Sequence, residues 1–107
     1  MNAERQRLLR LRRLEKIRAI AKQNAALEAA QAESTLSQLR ALSDRTRRLA
    51  QDYGSRREMA DGAALRQVGR FASGLEAISR STQGDAARAQ SIADAKQIQL
   101  AEAERRR

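Results

Sequence analysis

Residues 53–65 read YGSRREMADGAAL, and this stretch decides the fold. Before it, from Glu4 to Tyr53, there is neither Gly nor Pro. Here Gly54 and Gly62 fall close together, with Ser55 and Asp61 beside them as candidate caps. Gly supplies a positive φ at a helix end, and Asp accepts the free N–H groups at the next helix start. The sequence has no other break of this strength. It predicts helix 1 over about 3–53, a loop over about 54–62 and helix 2 over about 63–106, in a single domain, with the helix-compatible SRREMA leaving open that helix 1 frays past Gly54. Two long helices joined by one short connection return on each other, so the expected fold is all-α, a long antiparallel two-helix coiled-coil hairpin.

Outward from the turn, apolar and small residues recur at spacings of three and four. In helix 1 one register runs Leu11, Leu14, Arg18, Ala21, Ala25, Glu28, Ala32, Thr35, Leu39, Leu42, Thr46, Leu49, Tyr53. Ile17, Ile20, Leu27 and Leu36 widen the stripe beside it; Arg18 and Glu28 interrupt it, and its middle is rich in alanine. In helix 2 the period returns with Leu65, Val68, Phe71, Ala72, Leu75, Ile78, Thr82, Ala86, Ala89, Ile92, Ala93 and Leu100. Gly69, Gly74 and Gly84 lie inside that run, each costing about 1 kcal/mol relative to Ala in a helix. The segment RSTQGDAAR, residues 80–88, is the expected place for a kink, and a full break there makes three helices.

Composition agrees with a helical seam rather than a globular core. The 107 residues include one Phe, one Tyr, no Trp and no Pro. There is no Cys, so no disulfide and no thiolate metal site, and there is no His for general-base work. Paired carboxylates need a pocket that raises one pKa, and a two-helix seam offers none. The glycines of GRFASGL, residues 69–75, lack the Lys and hydroxyl that complete a phosphate loop. The expectation is a non-enzyme with no cofactor and no metal. The N-terminal MNAERQRLLRLRRLEK shows no secretory signal, and no apolar run reaches the roughly 20 residues of a membrane span, so a cytoplasmic protein is expected.

The charge is strongly basic, with 22 Lys plus Arg against 13 Asp plus Glu, a net +9. Residues 1–22 hold eight basic and two acidic side chains, among them Arg5, Arg7, Arg10, Arg12 and Arg13. In one reading they are the solvated face of a long helix. In another they attract an acidic partner surface. A third partner is nucleic acid, which such a charge binds without specificity, although aromatics for base stacking and recognised nucleic-acid motifs are lacking. Phe71, Leu75, Ile78 and Thr82 fall at i, i+4, i+7 and i+11, on one helix face. That face is either the seam against helix 1 or a docking face for a partner. A second seam, through Leu65, Val68, Ala72, Leu75 and Ala86, is rotated slightly from Phe71 and Ile78 and leaves apolar surface over.

The layout resembles the FliJ family of bacterial flagellar type III export. The resemblance rests on a basic N-terminal stretch carrying LxxLxxI (Leu11, Leu14, Ile17), then an alanine-rich helix with a lone aromatic near its end (Tyr53). A loop with Gly62 follows, then Phe71, Leu75, Glu76 and Ile78, and a charged second helix ending in Glu and Arg. The resemblance implies an antiparallel coiled coil similar to the rotary ATPase γ subunit, acting as a stalk in the ring of the hexameric export ATPase. It implies further partners: the cytoplasmic domain of the export gate, and export chaperones that the stalk escorts. Localisation would then be cytoplasmic and peripheral at the inner face of the cell membrane, through partners only. Carried over residue by residue, the gate-docking face is Phe71, Leu75, Ile78 and Thr82. The family has Ala and His in place of the last two. The basic ends, with Arg5, Arg7, Arg10, Arg12 and Arg13, would meet acidic surfaces of the ATPase ring. The stalk proteins of virulence type III systems are similar. The readings from other classes are a basic nucleic-acid-binding coiled coil and a self-associating scaffold.

Overall fold

The computed structural model describes residues 2–57 and 62–106. It contains two α-helices, α1 over Asn2–Arg57 and α2 over Gly62–Arg105, and no strand among the described residues. The chain is all-α, a helical hairpin, as its periodicity requires.

Both glycine-based expectations about the helix ends need correction. α1 does not stop at Tyr53 but runs through Gly54 to Arg57. No described glycine has a positive φ, so Gly54 is a helix-interior residue and not a cap. Ser55 is likewise internal, its hydroxyl donating to the Gln51 carbonyl at 3.2 Å, one turn back. The physical reason is local. The penalty of a single Gly, about 1 kcal/mol, is met by contacts that span it. Arg56 pairs with Asp52 at 3.7 Å and its guanidinium lies 5.2 Å from the Tyr53 ring centroid. Asp61, the expected cap of helix 2, lies outside the described residues. In α2 the helix is continuous through Gly84, so a full break over residues 80–88 and the three-helix alternative do not occur. Arg88 pairs with Asp85 across that turn, and the Thr82 hydroxyl donates to the Ser79 carbonyl at 3.0 Å. α2 ends where the Arg106 N–H reaches the Glu102 carbonyl at 3.3 Å.

The contacts divide into two compact units, Ser34–Ser91 and Met1–Glu33 with Ile92–Arg107. In Ser34–Ser91 the helices pair antiparallel: Tyr53, late in α1, meets Phe71, early in α2, while Arg40 donates to Gln90 far along α2. The least exposed residues of α1 are Leu36, Leu39, Ser43, Thr46, Ala50 and Tyr53, a strict alternation of three and four. In α2 Val68, Ala72, Leu75, Ser79, Thr82, Ala86 and Ala89 are buried or half-buried with the same alternation, beside buried Gly69 and half-buried Gly84, Asp85 and Gln90. Leu36 is the one large side chain in this seam that is almost fully buried, at 2% exposure. The rest is mostly Ala, Ser and Thr. Small residues at the contact set a short distance between helix axes. The hydroxyls buried there bond to their own helix, Thr46 donating to the Leu42 carbonyl at 2.7 Å. No buried side-chain N or O among the described residues lacks a partner.

In Met1–Glu33 with Ile92–Arg107 the pairing is also antiparallel. Ala25, Ala29 and Ala32 of α1 share the seam with Ala93, Lys96, Leu100 and Ala103 of α2. Ala29 and Ala93 are buried to 2% and 0% exposure. Lys96 Nζ donates to Glu28 Oε2 at 3.1 Å along one edge.

Of the thirteen residues in the expected helix 1 register, five turn inward, and Leu11, Leu14, Arg18 and Ala21 near the start of α1 are exposed. Ala25, Ala32, Leu39, Thr46 and Tyr53 do turn inward. Glu28, Thr35, Leu42 and Leu49 do not: their neighbours Ala29, Leu36, Ser43 and Ala50 take the seam, and all four expected residues are exposed. A repeat of three and four can be phased two ways, and the larger side chains favoured the wrong phase. Close helices exclude those side chains and place them on the flank.

Candidate docking surface

The seam sets what is left outside. Along the edge where the two helices meet, a residue just before a seam position on one helix faces its counterpart on the other, because the pair is antiparallel. In Ser34–Ser91 those flank positions are Leu42 and Leu49 on α1 and Phe71 and Ile78 on α2. The Tyr53–Phe71 contact lies on this edge, ring centroids 4.6 Å apart with the planes at 62°, an edge-to-face pair. Leu42 and Leu49 are each 43% exposed, and Phe71 and Ile78 each 52%. The other edge of the same unit is polar. Arg40 reaches Gln90 there, and a shallow groove is lined by Arg47, Gln51, Gly54, Glu76 and Arg80 beside the small seam residues Ala50 and Ser79. The unit thus has an apolar edge and a polar edge.

The four residues of the expected docking face are split by this geometry. Phe71 and Ile78 are exposed on the apolar edge, Leu75 is partly buried, and Thr82 is buried in the seam at 6% exposure with its hydroxyl bonded to Ser79. They share one half of the helix circumference but not one exposed surface. Of the alternative seam rotated from Phe71 and Ile78, Val68, Ala72, Leu75 and Ala86 turn inward, while Leu65 is 38% exposed and does not. Leu42 and Leu49 join the exposed surface instead, and the sequence reading had assigned them to the seam. The signal that finds them is the unbroken run of small residues at Ala72, Ser79, Ala86, Ala89 and Ala93, which fixes the phase of α2 and with it that of α1.

In the other unit, Arg5, Arg7, Arg10, Arg12 and Arg13 are all exposed on α1, and none makes an ion pair among the described residues. At 100° per residue they spread over about 220° of the helix circumference, and Leu8 and Leu11 lie on the remaining arc. Leu8, Leu9, Leu11 and Leu14, 47–55% exposed, are interleaved with them. Leu9 and Leu14 fall among the arginines, whereas Leu8 and Leu11 share a narrow arc without them. Further along, Leu14, Ile17 and Ala21 of α1 and Ala103 of α2 floor a groove with Arg18 and Arg106 at its sides.

Among the described residues, no group of three or more His, Cys, Asp or Glu converges, and no helix is long and apolar enough to cross a membrane. Comparison of the chain with protein-family models found no match. Neither the curated proteins nor the solved structures gave one.

Proposed function

We propose that this chain is a non-enzymatic docking hairpin, a stalk or adaptor of the bacterial flagellar type III export apparatus that links the export ATPase ring to the export gate. The observation that carries the docking role is the inversion of side-chain size. Ala, Ser and Thr make up most of the seam around Leu36, Leu39, Tyr53, Val68 and Leu75, while Phe71 and Ile78 are left 52% exposed beside it. Apolar side chains gathered on one edge mark a protein contact, and aromatic anchors carry much of the energy of such contacts.

The assignment to flagellar export rests on the resemblance of the layout to the FliJ family. The disposition of Arg5, Arg7, Arg10, Arg12 and Arg13 fits it in one respect. Cations spread over more than half of a helix circumference suit a segment that meets acidic surface on several sides better than one lying on a flat surface. In this reading the arginines meet the hexameric ATPase, Phe71 and Ile78 meet the cytoplasmic domain of the gate, and chaperones are escorted between them. Membrane association is indirect, through those partners.

The test is capture of an export ATPase and an export-gate cytoplasmic domain from the same genome, with this chain as bait and Phe71→Ala beside it. Both are captured by the wild type, and the gate alone is lost from the variant. Capture of neither at moderate salt removes the export reading.

A further inference from the structure

We propose that the apolar edge of the Ser34–Ser91 unit is a two-helix groove that receives a single amphipathic helix with acidic flanks, closing a three-helix bundle. This gives the docking face proposed above an occupant and rests on that reading.

The groove is built from both helices. Leu42 and Leu49 stand two turns apart on α1, Phe71 and Ile78 two turns apart on α2, and the Tyr53 ring braces Phe71 at one end. Tyr53 and Phe71 are side by side, so the strip runs from the level of Leu42 to that of Tyr53, eleven residues of α1 or about 17 Å at 1.5 Å per residue. That is three helical turns, the length over which a third helix places three or four apolar knobs. Its walls are helices whose backbone groups are bonded within themselves, so no free strand edge exists for an extended peptide to join. Side chains alone must hold the occupant, which favours a helix seated between two helices.

The charge at the rim selects the flanks. Asp52 and Asp85, the carboxylates nearest the strip, are already paired with Arg56 and Arg88. Arg45 on α1 borders the strip, with Arg48 and Arg70 about 100° further round their helices from Leu49 and Phe71; all three are exposed and have no ion pair among the described residues. The uncompensated rim charge is positive, and the whole chain is at +9. A second copy would set these arginines against their own kind. Glutamates or aspartates beside the apolar stripe of a partner helix would satisfy them, at separations where the attraction is screened by salt.

The experiment titrates a labelled synthetic heptad peptide of about three turns, Leu or Ile at its apolar positions and Glu beside them, into the full chain. The same peptide with Lys for Glu, and one with Gln for its apolar residues, run in parallel. The Glu peptide binds and the other two do not. Leu42→Glu and Leu49→Glu on α1 weaken binding by about tenfold or more, as Ile78→Glu does on α2. A glutamate at exposed Gln83, on the polar edge, changes it little. Circular dichroism checks that each variant is folded, and Leu42→Gln replaces any that is not. Equal binding of the Glu and Lys peptides, or binding indifferent to Leu42 and Leu49, overturns the proposal. So does a concentration-dependent dimer that the same substitutions abolish. Gate capture that is lost with Phe71→Ala but survives Leu42→Glu and Leu49→Glu removes the composite groove and leaves the docking reading standing.

Discussion

Substituting Leu36 and Leu42 separately by Ala distinguishes the seam that forms from the one that larger side chains suggest. Leu36 is 2% exposed and Leu42 is 43% exposed, six residues apart on the same helix. Leu→Ala removes three carbons. At about 0.8 kcal/mol per buried carbon, Leu36→Ala loses about 2.4 kcal/mol, and a residual cavity between the helices adds to that. Leu42 keeps nearly half of its surface in water, so the same deletion loses about 1.4 kcal/mol, with no enclosed cavity. The better helix propensity of Ala returns a few tenths in both cases. The expected gap is at least about 1 kcal/mol, or a difference in melting temperature of roughly 4–8 °C for a chain of this size. Thermal and urea unfolding followed by far-UV circular dichroism measure it. Equal losses, or a larger loss at Leu42, would put Leu42 in the seam and refute the phase of the hairpin described above.

Gly54→Ala and Gly84→Ala should each stabilise the chain by about 0.5–1 kcal/mol, because both positions are helical. A Cβ at Gly54 meets nothing within 4 Å, and one at Gly84 meets only Arg88 Nη1 at 3.8 Å. A fall in melting temperature for either variant contradicts a continuous helix at that point. The Glu28–Lys96 pair has side chains 52% and 32% exposed, so a double-mutant cycle should return no more than about 0.5 kcal/mol, vanishing in high salt. A coupling above about 2 kcal/mol would mean that the pair is far better shielded than its exposure indicates. Phe71→Ala should leave helicity near wild type and lower stability by about 1 kcal/mol, the scale of its edge contact with Tyr53. Loss of folding would make Phe71 a seam residue.

Much of the hairpin is legible in the sequence, and the reasons are local. The absence of Gly and Pro over 4–53, the paired glycines near the turn and the two periodic runs are enough for two helices and their return. Helix boundaries fared worse, because Gly54 and Gly84 are penalised only weakly and neighbouring contacts carry the helix across them. The seam phase failed at Leu42 and Leu49 for a different reason. Side-chain size points to the residue that gains most from burial, yet an antiparallel pair with alanines at Ala29, Ala50, Ala72 and Ala93 is closed by its smallest residues. The docking face suffered from the same mistake. Phe71, Leu75, Ile78 and Thr82 share a helix face, but a seam positioned at Leu75 and Thr82 takes two of them inward. What the sequence of one helix cannot display is that exposed residues of the other, Leu42 and Leu49, complete the edge.

The account depends on small residues facing inward and large ones outward along a single edge, and thiol labelling tests this directly. The chain has no cysteine, so each introduced thiol reports alone. Four variants suffice: Leu49→Cys and Ile78→Cys on the apolar edge, and their seam neighbours Ala50→Cys and Ser79→Cys. Maleimide labelling of the folded chain should be rapid at positions 49 and 78 and much slower at 50 and 79, with all four equal in denaturant. Rapid labelling at 50 and 79 with protection at 49 and 78 would turn the large side chains into the seam, and with them the docking surface would be lost.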